Sequence, residues 1–336
     1  MKYNKIFKAQ DPLFIKNLFT QKKKVLFDNV ADKKIKSIQI ERVSPSWAKD
    51  TCLVKYKVTF ENHLIKTLRA TSSKKESKED VYKIMQYLYK KLPIANSVYF
   101  DKNHNILFYQ EIPGRTLAEI MEKKEKRILS QSLKKAALFL VKLHNLKPKT
   151  PFPKAFFPQS TGYAYIFKKI KTSLPELKKE IPSLKTLKFV DKIWKNQNAL
   201  IHNDFYPGNI IVGKTQLYAI DFDKAGRGPV LMDLATIMAS FNLPKEIWQI
   251  KLSKKERDKL QDIFIKTYCK SQHIDFKKTK TQLKKFLAKI FLDQIRYYFL
   301  LDYKNLPKMT KQNRRKFGQK IRSLIVNFKE SYESFI

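Results

Sequence analysis

Three oxygen-bearing side chains stand in a fixed order in the middle of the chain. Asp204 is followed five residues later by Asn209 and, twelve residues after that amide, by Asp221. Phosphoryl transfer from a metal-bound nucleotide requires one carboxylate that orients a hydroxyl group, and an amide and a second carboxylate that bind Mg²⁺. Because an amide oxygen binds this ion well only beside an anionic oxygen, the last two are expected to act together. The spacing therefore predicts Asp204 as the catalytic residue and Asn209 and Asp221 as the metal ligands.

The residues between Asn209 and Asp221 predict how these two side chains come together. Apolar runs begin and end this stretch, and Gly213 and Lys214 between them can form a turn. A strand, a tight turn and a returning strand would place the amide beside the carboxylate. The segment 200–223 is therefore predicted to form a catalytic hairpin.

At these residues the chain resembles the kinase-like phosphotransferases, typified by aminoglycoside phosphotransferases, choline kinases and spore-coat-kinase-like bacterial proteins. The segments that carry the resemblance are HNDFYPGN at 202–209, AIDFD at 219–223 and MDLA at 232–235. Residues 111–117 are similar to the family's segment after the hinge between its lobes, and residues 139–144 to its helix that ends in L-x-x-L-H. The resemblance covers about residues 50–240, and the last hundred residues match no segment of the family.

The resemblance implies an ATP- and Mg²⁺-dependent kinase with an α+β, protein-kinase-like two-lobed fold. Residues 1–112 are expected to form the small lobe, an antiparallel sheet with one helix. Residues 113–336 are expected to form the large, mostly helical lobe, which contains the catalytic hairpin 200–223.

Hydrophobic periodicity agrees with this division of the chain. Apolar residues alternate with a period of two and then follow a helical period, which predicts three strands, a helix and two strands over 35–43, 52–60, 63–70, 72–89, 98–100 and 106–112. This is the element order of a kinase small lobe. Further on, helical patterns occupy 133–146, 166–187, 229–241, 245–269, 282–303 and 313–334.

A nucleotide kinase also needs a cation on the donor phosphates, carried by the third strand of the sheet. Lys66 is the preferred residue, and Arg69, on the other face of the same strand, is the alternative. A carboxylate on the following helix would pair with this cation. Glu79 has the best reach, with Glu76 and Asp80 close behind.

The loop that should cover the phosphates contains no glycine, because Gly114 is the first glycine of the chain. Ser44 and Ser46, with their backbone amides, are the expected substitutes.

Adenine would be bound at the hinge by the backbone of Gln110, Glu111 and Ile112, since such contacts need no particular side chain.

Neighbouring side chains in the motif have structural interpretations. Asp233 is expected to cap its helix or to brace the catalytic loop, and Asp223 either to contact a second metal or the acceptor, or to cap the loop that follows. His202 and His144 are expected to pack inside the protein.

Composition limits the class of protein. A chain of 336 residues that is 43% apolar and 30% charged can bury a sizeable core. Cys52 and Cys269 are the only cysteines, which excludes a disulfide framework and favours a reducing compartment. No apolar run has the length of a membrane span or of a signal peptide. The expected location is the cytoplasm.

The formal net charge of +40 is extreme. A biased genome base composition explains an excess of lysine, but it should raise glutamate as well. Residues 241–336 hold 24 Lys or Arg against 9 Asp or Glu, so the excess reaches the part expected to select the acceptor. The electrostatic field of this positive charge favours an anionic acceptor, either a small molecule or a glycan. It also favours peripheral association with an anionic membrane surface.

Two other functions remain open. The missing glycine loop is compatible with a nucleotide-binding scaffold protein that has lost catalysis. The charge is compatible with nucleic-acid binding, but no recognisable nucleic-acid-binding module is present and no specific nucleic acid is expected. Aromatic and basic residues at 152–165 and 294–303 would either line an acceptor cleft or pack in the helical core.

Overall fold

The computed structural model describes residues 6–30, 32–44, 50–74, 76–148, 152–155, 158–193, 198–243, 247 and 252–334. In chain order its strands are β1 (Ile35–Arg42), β2 (Thr51–Phe60), β3 (Ile65–Ser73), β4 (Ser97–Asp101), β5 (Ile106–Gln110), β6 (Arg115–Thr116), β7 (Ala199–Ile201), β8 (Ile210–Val212), β9 (Leu217–Ala219) and β10 (Gly226–Gly228). Its α-helices are α1 (Pro12–Gln21), α2 (Lys23–Leu26), α3 (Glu79–Tyr89), α4 (Leu117–Glu122), α5 (Lys126–His144), α6 (Ser160–Ser173), α7 (Leu184–Leu187), α8 (Leu231–Phe241), α9 (Lys254–Gln272), α10 (Phe276–Tyr303) and α11 (Lys311–Glu333).

The chain folds as two compact units. The first comprises Met1–Gly114 together with Gly213–Asp223, and the second comprises Arg115–Val212 together with Lys224–Ile336. The segment that carries β9 therefore belongs to the first unit.

The first unit is built on an antiparallel sheet with the strand order β1-β2-β3-β5-β4. Helix α1, capped by the Asp11 side chain, covers one face. Phe19 of α1 is fully buried and contacts the rings of Tyr56 and Phe108 from the sheet. The sheet and its helix α3 confirm the predicted element order, whereas the helices before β1 were not predicted.

The predicted boundary between β3 and α3 was wrong. The strand continues to Ser73 and the helix begins only at Glu79. The Asn105 side chain explains the difference, because its amide donates to the carbonyl groups of Ser73 and Glu76, both at 2.8 Å. Its Oδ1 also accepts from the N–H of Lys78 at 2.7 Å. These bonds hold the connection as a loop.

The second unit is mostly helical. Helices α5, α8, α9, α10 and α11 pack together, and almost every residue of α8 is buried. Helix α9 begins at a capping box formed by Ser253 and Glu256, later than the predicted start at 245. The predicted α+β class, with a sheet-based part and a helical part, is confirmed.

Two further features concern the whole chain. Cys52 and Cys269 are both buried free thiols, and burial raises the pKa of each. Within the described ranges, no helix combines the length and the apolar character that a membrane span needs.

Candidate active site

The loop between β7 and β8 carries Asp204 and Asn209 and is anchored by aromatic packing. It ends in a 3-10 turn at Pro207–Asn209. Phe205 is fully buried, and its ring stacks on Phe139 of α5 with centroids 5.6 Å apart. The residue next to Asp204 therefore holds the loop against the core of the second unit.

Asp233, in the first turn of α8, braces this loop. Its Oδ2 accepts a hydrogen bond from the backbone N–H of His202 at 2.8 Å, and its Oδ1 accepts from the N–H of Asn203 at 2.7 Å. Asn203 has a φ of 60°, in the left-handed region that asparagine tolerates better than most residues. The predicted bracing role of Asp233 is confirmed.

A buried network supports Asp233. His144 Nε2 lies 3.0 Å from Asp233 Oδ2, and His144 Nδ1 lies 2.8 Å from Tyr268 Oη. Burial, with the charge of Asp233 adding to it, raises the pKa of Tyr268 above its ordinary value, so its hydroxyl group stays protonated. Because the carboxylate of Asp233 accepts, Nε2 of His144 is the donor in their bond. The predicted packing role of His144 is confirmed.

Contacts within the second unit hold both Asp204 and Asn209. Asn209 is 5% exposed, and its Nδ2 donates to the backbone carbonyl of Asp204 at 3.0 Å. This bond identifies the Asn209 atoms, because it leaves Oδ1 as the end of the amide that can bind a metal. The Asp204 side chain is 27% exposed, and its Oδ2 accepts from Lys224 Nζ at 2.9 Å.

Asp221 follows β9 in the first unit and has a left-handed backbone. Its φ of 64° is a conformation that costs a non-glycine residue about 1–2 kcal/mol. Strain of this kind persists where the surroundings over-determine it, often at functional sites. Here the N–H of Ala219 donates to the carbonyl of Pro93 at 3.2 Å, and Phe222 is buried. The segment is thus held on one side of Asp221 by the connection between α3 and β4 and on the other side by a buried ring.

An ion pair with a buried lysine holds Asp223. Lys78 Nζ contacts Asp223 Oδ2, and the Lys78 side chain is 1% exposed. The structure therefore shows Asp223 as the partner of a lysine at the start of α3, a role different from the two that the sequence suggested.

The register of β3 separates Lys66 from Arg69. Leu68 belongs to the core under α1, so Lys66, two positions away, lies on that face of the strand. Arg69 lies on the opposite face, directly across from Tyr109 of β5. Burial raises the pKa of Tyr109, and the charge of Asp221 adds to this effect, so Asp221 lies near the Arg69 face.

Arg69 is held by Glu111. Its Nε and Nη2 donate to Glu111 Oε1 at 3.0 and 2.8 Å, and Lys55 Nζ lies 3.1 Å from the same oxygen. Burial raises the pKa of Glu111, but the hydrogen bonds from the two cations outweigh it and hold the pKa below its ordinary value. The ionised Glu111 therefore gathers two cations at the sheet.

The predicted hinge residues differ in backbone freedom. The N–H of Gln110 donates to the carbonyl of Asn96 at 2.9 Å, and the N–H of Glu111 donates to the carbonyl of Thr67 at 3.4 Å. The N–H of Ile112 makes no hydrogen bond with the described residues. Of the three amides, that of Ile112 is thus the one ready to bind a ligand.

A cleft of about 500 Å³ lies beside these residues in the first unit. Lys66, Gln110 and Glu111 line it, with Leu26 and Phe27 as its apolar wall. Three of the residues predicted to contact the nucleotide are therefore grouped around one cavity.

Of the remaining residues predicted to contact the nucleotide, Ser44 and Glu79 bind neighbouring residues, and Ser46 is not among the described residues. Ser44 Oγ accepts from the backbone N–H of Leu53 and from Arg42, both at 3.2 Å, and so helps to close the connection between β1 and β2. Ser46 lies outside the described residues. Glu79 forms an ion pair at 3.0 Å with Lys83, one turn along α3. Nucleotide contacts by these three residues stay a prediction.

The donor atoms fit a hard divalent ion. Asn209 Oδ1 and the Asp221 carboxylate are both oxygen ligands of the kind that Mg²⁺ prefers. Asn209 belongs to the second unit, and Asp221 belongs to the first unit. That they share one ion stays a prediction and is part of the proposal below.

Three solved structures share the fold of this chain. A choline kinase from Cryptosporidium parvum matches with a TM-score of 0.62 at 11% identity, covering 96% of each chain. A Plasmodium vivax ethanolamine kinase matches with a TM-score of 0.57 at 17% identity, covering 95% of this chain and 90% of that one. The ADP-bound aminoglycoside phosphotransferase APH(2'')-Ib matches with a TM-score of 0.53 at 16% identity, covering 93% of this chain and 99% of that one. At such identities the likeness shows the fold alone.

The chain belongs to the phosphotransferase enzyme family APH, whose model matches residues 39–268. This confirms the resemblance found in the motifs around Asp204 and Asp221. No curated protein sequence matches the chain significantly.

The sequence did not predict three ion pairs that involve residues of the motif or of β3. These pairs join residues that are separated along the chain: Lys78 with Asp223, Lys224 with Asp204, and Arg69 with Glu111. With 70 Lys and Arg residues in the chain, no single one stands out by type. The position of Lys224, three residues after Asp221, is the one local signal that could have identified it.

Proposed function

We propose that the chain is an ATP- and Mg²⁺-dependent kinase that transfers the γ-phosphate to a hydroxyl group of a small molecule or glycan, specifically an anionic one. The observation that carries this proposal is the braced loop of the second unit. Asp233 holds its backbone, Asp204 keeps an accessible carboxylate, and Asn209 has its amide nitrogen tied back. The ADP in one of the similar structures supports the choice of nucleotide.

Each residue has a defined task in this proposal. Asp204 orients the acceptor hydroxyl and accepts its proton as the new bond forms. Asn209 Oδ1 and Asp221 would hold the Mg²⁺ ion, which would neutralise charge on the phosphates when bound. Arg69, on the face of β3 near Asp221, is proposed to bind the donor phosphates, which reverses the order predicted from the sequence, where Lys66 was preferred and Arg69 was the alternative.

The backbone N–H of Ile112 donates a hydrogen bond to adenine. The acceptor oxygen bonds to the γ-phosphorus, the bond from that phosphorus to the bridging oxygen breaks, and ADP leaves.

The charge of the chain supports an anionic acceptor. A net charge of +40 attracts anionic molecules over long distances and repels polycations. It also supports peripheral binding to an anionic membrane surface, where such an acceptor could be embedded. Two buried free cysteines agree with a reducing compartment such as the cytoplasm.

A transfer assay with γ-labelled ATP and fractionated cell extract tests the proposal. Label should pass to acidic metabolites or glycans, and Asp204→Asn and Asp221→Ala should each abolish the transfer. Asp32→Asn is the matched control, because Asp32 is 68% exposed and its ion pair is with its neighbour Lys33. Transfer that survives both active-site substitutions would refute the assignment.

A nucleotide-binding scaffold protein is the second candidate. The contact of Lys224 with Asp204 and the absence of glycine before Gly114 favour it. Thermal stabilisation by Mg·ATP, without turnover in any extract fraction, would support the scaffold over the kinase.

A further inference from the structure

An exposed apolar stripe follows the last turns of α10. Leu300 and Leu301 come three and four residues after Tyr297, so the three side chains lie on one side of the helix. Tyr297 is 54% exposed, Leu300 is 43% exposed and Leu301 is 37% exposed. Ile295 and Phe299 of the same helix are buried in the second unit. The end of α10 therefore presents apolar surface both to the core and to solvent.

The continuity of the stripe sets it apart from ordinary exposed apolar residues. Single apolar side chains are common on protein surfaces, whereas a continuous exposed row marks a surface that binds a partner. Lys304, which is exposed, extends the row two turns after Tyr297. The aliphatic stem of a lysine can lie on apolar surface while its ammonium group stays in water. The row thus ends in a side chain suited to a border between apolar and aqueous surroundings.

A lysine of α6 lies between two tyrosine rings on one flank of the stripe. Lys169 Nζ is 5.0 Å from the ring centroid of Tyr165 and 4.9 Å from that of Tyr303. It also lies 3.5 Å from the hydroxyl oxygen of Tyr303. Tyr303 belongs to α10 and follows Leu300 by three residues, and Tyr165 is exposed. These distances join the surface of α6 to the stripe.

A second contact between lysine and tyrosine lies on the other flank. Lys320 Nζ of α11 is 4.0 Å from the ring centroid of Tyr298, and the rings of Tyr298 and Tyr297 are 5.1 Å apart. Arg314 of α11 donates to the carbonyl of Ser173, at the end of α6, at 2.6 Å. Both neighbouring helices are thus fixed beside the stripe, each with a lysine against a tyrosine of α10.

The charge around the stripe is positive. Residues 296–320 hold eight Lys or Arg and one acidic residue, Asp302, and residues 160–173 hold three Lys and no acidic residue. Asp293, one turn before Tyr297, forms an ion pair with Lys289. The exposed cations near the end of α10 are Lys304, Lys308, Lys311 and Arg315. An apolar row among cations suits a partner that is anionic at its surface and apolar beneath it.

We infer that this surface binds an anionic lipid bilayer. Tyr297, Leu300 and Leu301 enter the boundary between head groups and acyl chains, and the surrounding lysines bind lipid phosphates. The inference rests on the proposed function, because it assigns a surface to the peripheral membrane association proposed there. Tyrosine and lysine suit this boundary, since each has an apolar body and a polar end.

The contact is one with the face of the bilayer. In the part of the chain that the structure describes, no helix has the length and apolar character to cross a membrane. An apolar row on a helix with basic flanks instead lies in the plane of the interface, held by shallow insertion and by attraction to anionic lipids.

Charge argues against a second copy of the chain as the occupant. Each copy carries a net charge of +40, and the surface lies in a basic part of it, so two copies would repel each other here. An acidic protein would satisfy the lysines as well. It differs from a bilayer in having no acyl chains, and this difference can be tested.

Sedimentation with lipid vesicles, in the absence of nucleotide, tests the inference. We expect the wild type to bind vesicles of phosphatidylcholine mixed with phosphatidylglycerol, and to bind vesicles of phosphatidylcholine alone at least about tenfold more weakly. Absence of binding to the anionic vesicles, or equal binding to both kinds, would overturn the inference.

Two matched substitutions locate the surface. Leu300→Asp should weaken binding to the anionic vesicles at least about tenfold, because it removes apolar contact and adds a charge that the lipid phosphates repel. Leu138→Asp is the control, since Leu138 lies inside helix α5 and is 44% exposed, almost as Leu300 is. Both substitutions change the net charge equally, so the control should stay within about threefold of the wild type. Equal binding by the two variants would contradict the assignment.

Polyglutamate separates a bilayer from an acidic protein. It offers carboxylates without acyl chains, so Leu300→Asp and Leu138→Asp should bind it equally. Polyglutamate binding that Leu300→Asp alone abolishes, in a protein that ignores vesicles, would assign the surface to an acidic protein and overturn the inference.

Phosphoryl transfer measured on the same samples separates this inference from the proposed activity. Vesicle binding that depends on Leu300, in a protein that transfers no phosphate to any acceptor, would refute the kinase and leave the membrane surface. Transfer to a soluble acceptor by a protein that does not sediment with vesicles would do the reverse.

Discussion

The buried carboxylate of Asp233 accepts a hydrogen bond from the backbone N–H of His202 at 2.8 Å. Through this bond, helix α8 determines where the loop that carries Asp204 lies. The position of the reactive group therefore depends on a side chain that does not contact the substrate in our proposal.

Replacing Asp233 should damage both stability and turnover. Asp233→Ala leaves two loop N–H groups and His144 without their buried acceptor, which should lower the free energy of unfolding by about 3 kcal/mol. Displacement of the loop should reduce phosphoryl transfer by about 100-fold. Urea denaturation and the transfer assay measure the two effects.

The control for this experiment is Asp32→Ala, at an exposed position, which should change stability by less than about 0.5 kcal/mol. Equal stability of the two variants would show that Asp233 does not brace the loop.

Removing the Tyr268 hydroxyl group should have a smaller effect. Tyr268→Phe loses the bond to His144 Nδ1 but keeps the packing of the ring, so we expect a loss of about 1 kcal/mol. Turnover should stay within about threefold of the wild type, because Asp233 still binds the loop. Thermal unfolding checks this, with Tyr297→Phe as an exposed counterpart. A collapse of turnover in Tyr268→Phe would mean that the network acts in catalysis itself.

Arg69 and Lys66 can be distinguished by kinetics. Arg69 lies on the face of β3 near Asp221, so Arg69→Met should lower kcat/KM for ATP by at least about tenfold. Lys66→Met, on the other face, should change it by less than about threefold. The reverse order of effects would place the donor phosphates in the cleft that Lys66 lines.

The Lys78–Asp223 pair should show strong coupling in a double-mutant cycle. Lys78→Met leaves the carboxylate without its partner and should destabilise the first unit by about 2 kcal/mol. The double variant, with Asp223→Asn as well, should recover at least about half of that loss. Additive effects in urea denaturation would mean that the two side chains do not interact in solution.

The pH dependence of stability should report on Glu111. Its pKa is lower in the folded protein than the ordinary 4.5, because Arg69 and Lys55 bind its charged form. Such a carboxyl group stabilises the folded protein at pH values above its pKa in the unfolded chain. This contribution is lost as the pH falls through its lower pKa in the folded protein. The stability difference between wild type and Glu111→Gln should therefore be constant near neutral pH and shrink below about pH 4.5.

Urea denaturation at pH 7, 5, 4 and 3 measures this difference. Glu41→Gln, at an exposed position on β1, should follow the wild type at every pH. A Glu111→Gln difference that persists unchanged at pH 3 would contradict the assignment.

Much of the fold could be predicted because its signals are local. The alternation in β2 and the motif around Asp204 lie in short, continuous stretches, and both predicted the class correctly. The boundary at Ser73 was missed because the Asn105 side chain, far along the chain, holds the following residues as a loop. The helices before β1 were missed although α1 has a local signal, since Asp11 caps it and Ile15, Leu18 and Phe19 follow a helical spacing.

By itself, the sequence determined the family, and the spacing of Asp204, Asn209 and Asp221, which can be read along one short stretch of chain, predicted these three as the reactive side chains. Only the tertiary structure decided which of the many cations pair with the carboxylates of the motif. Lys224 pairs with Asp204, and Lys78 pairs with Asp223. Pairing energies act over a few ångströms in space, whatever the separation along the chain, and therefore leave no pattern in the sequence.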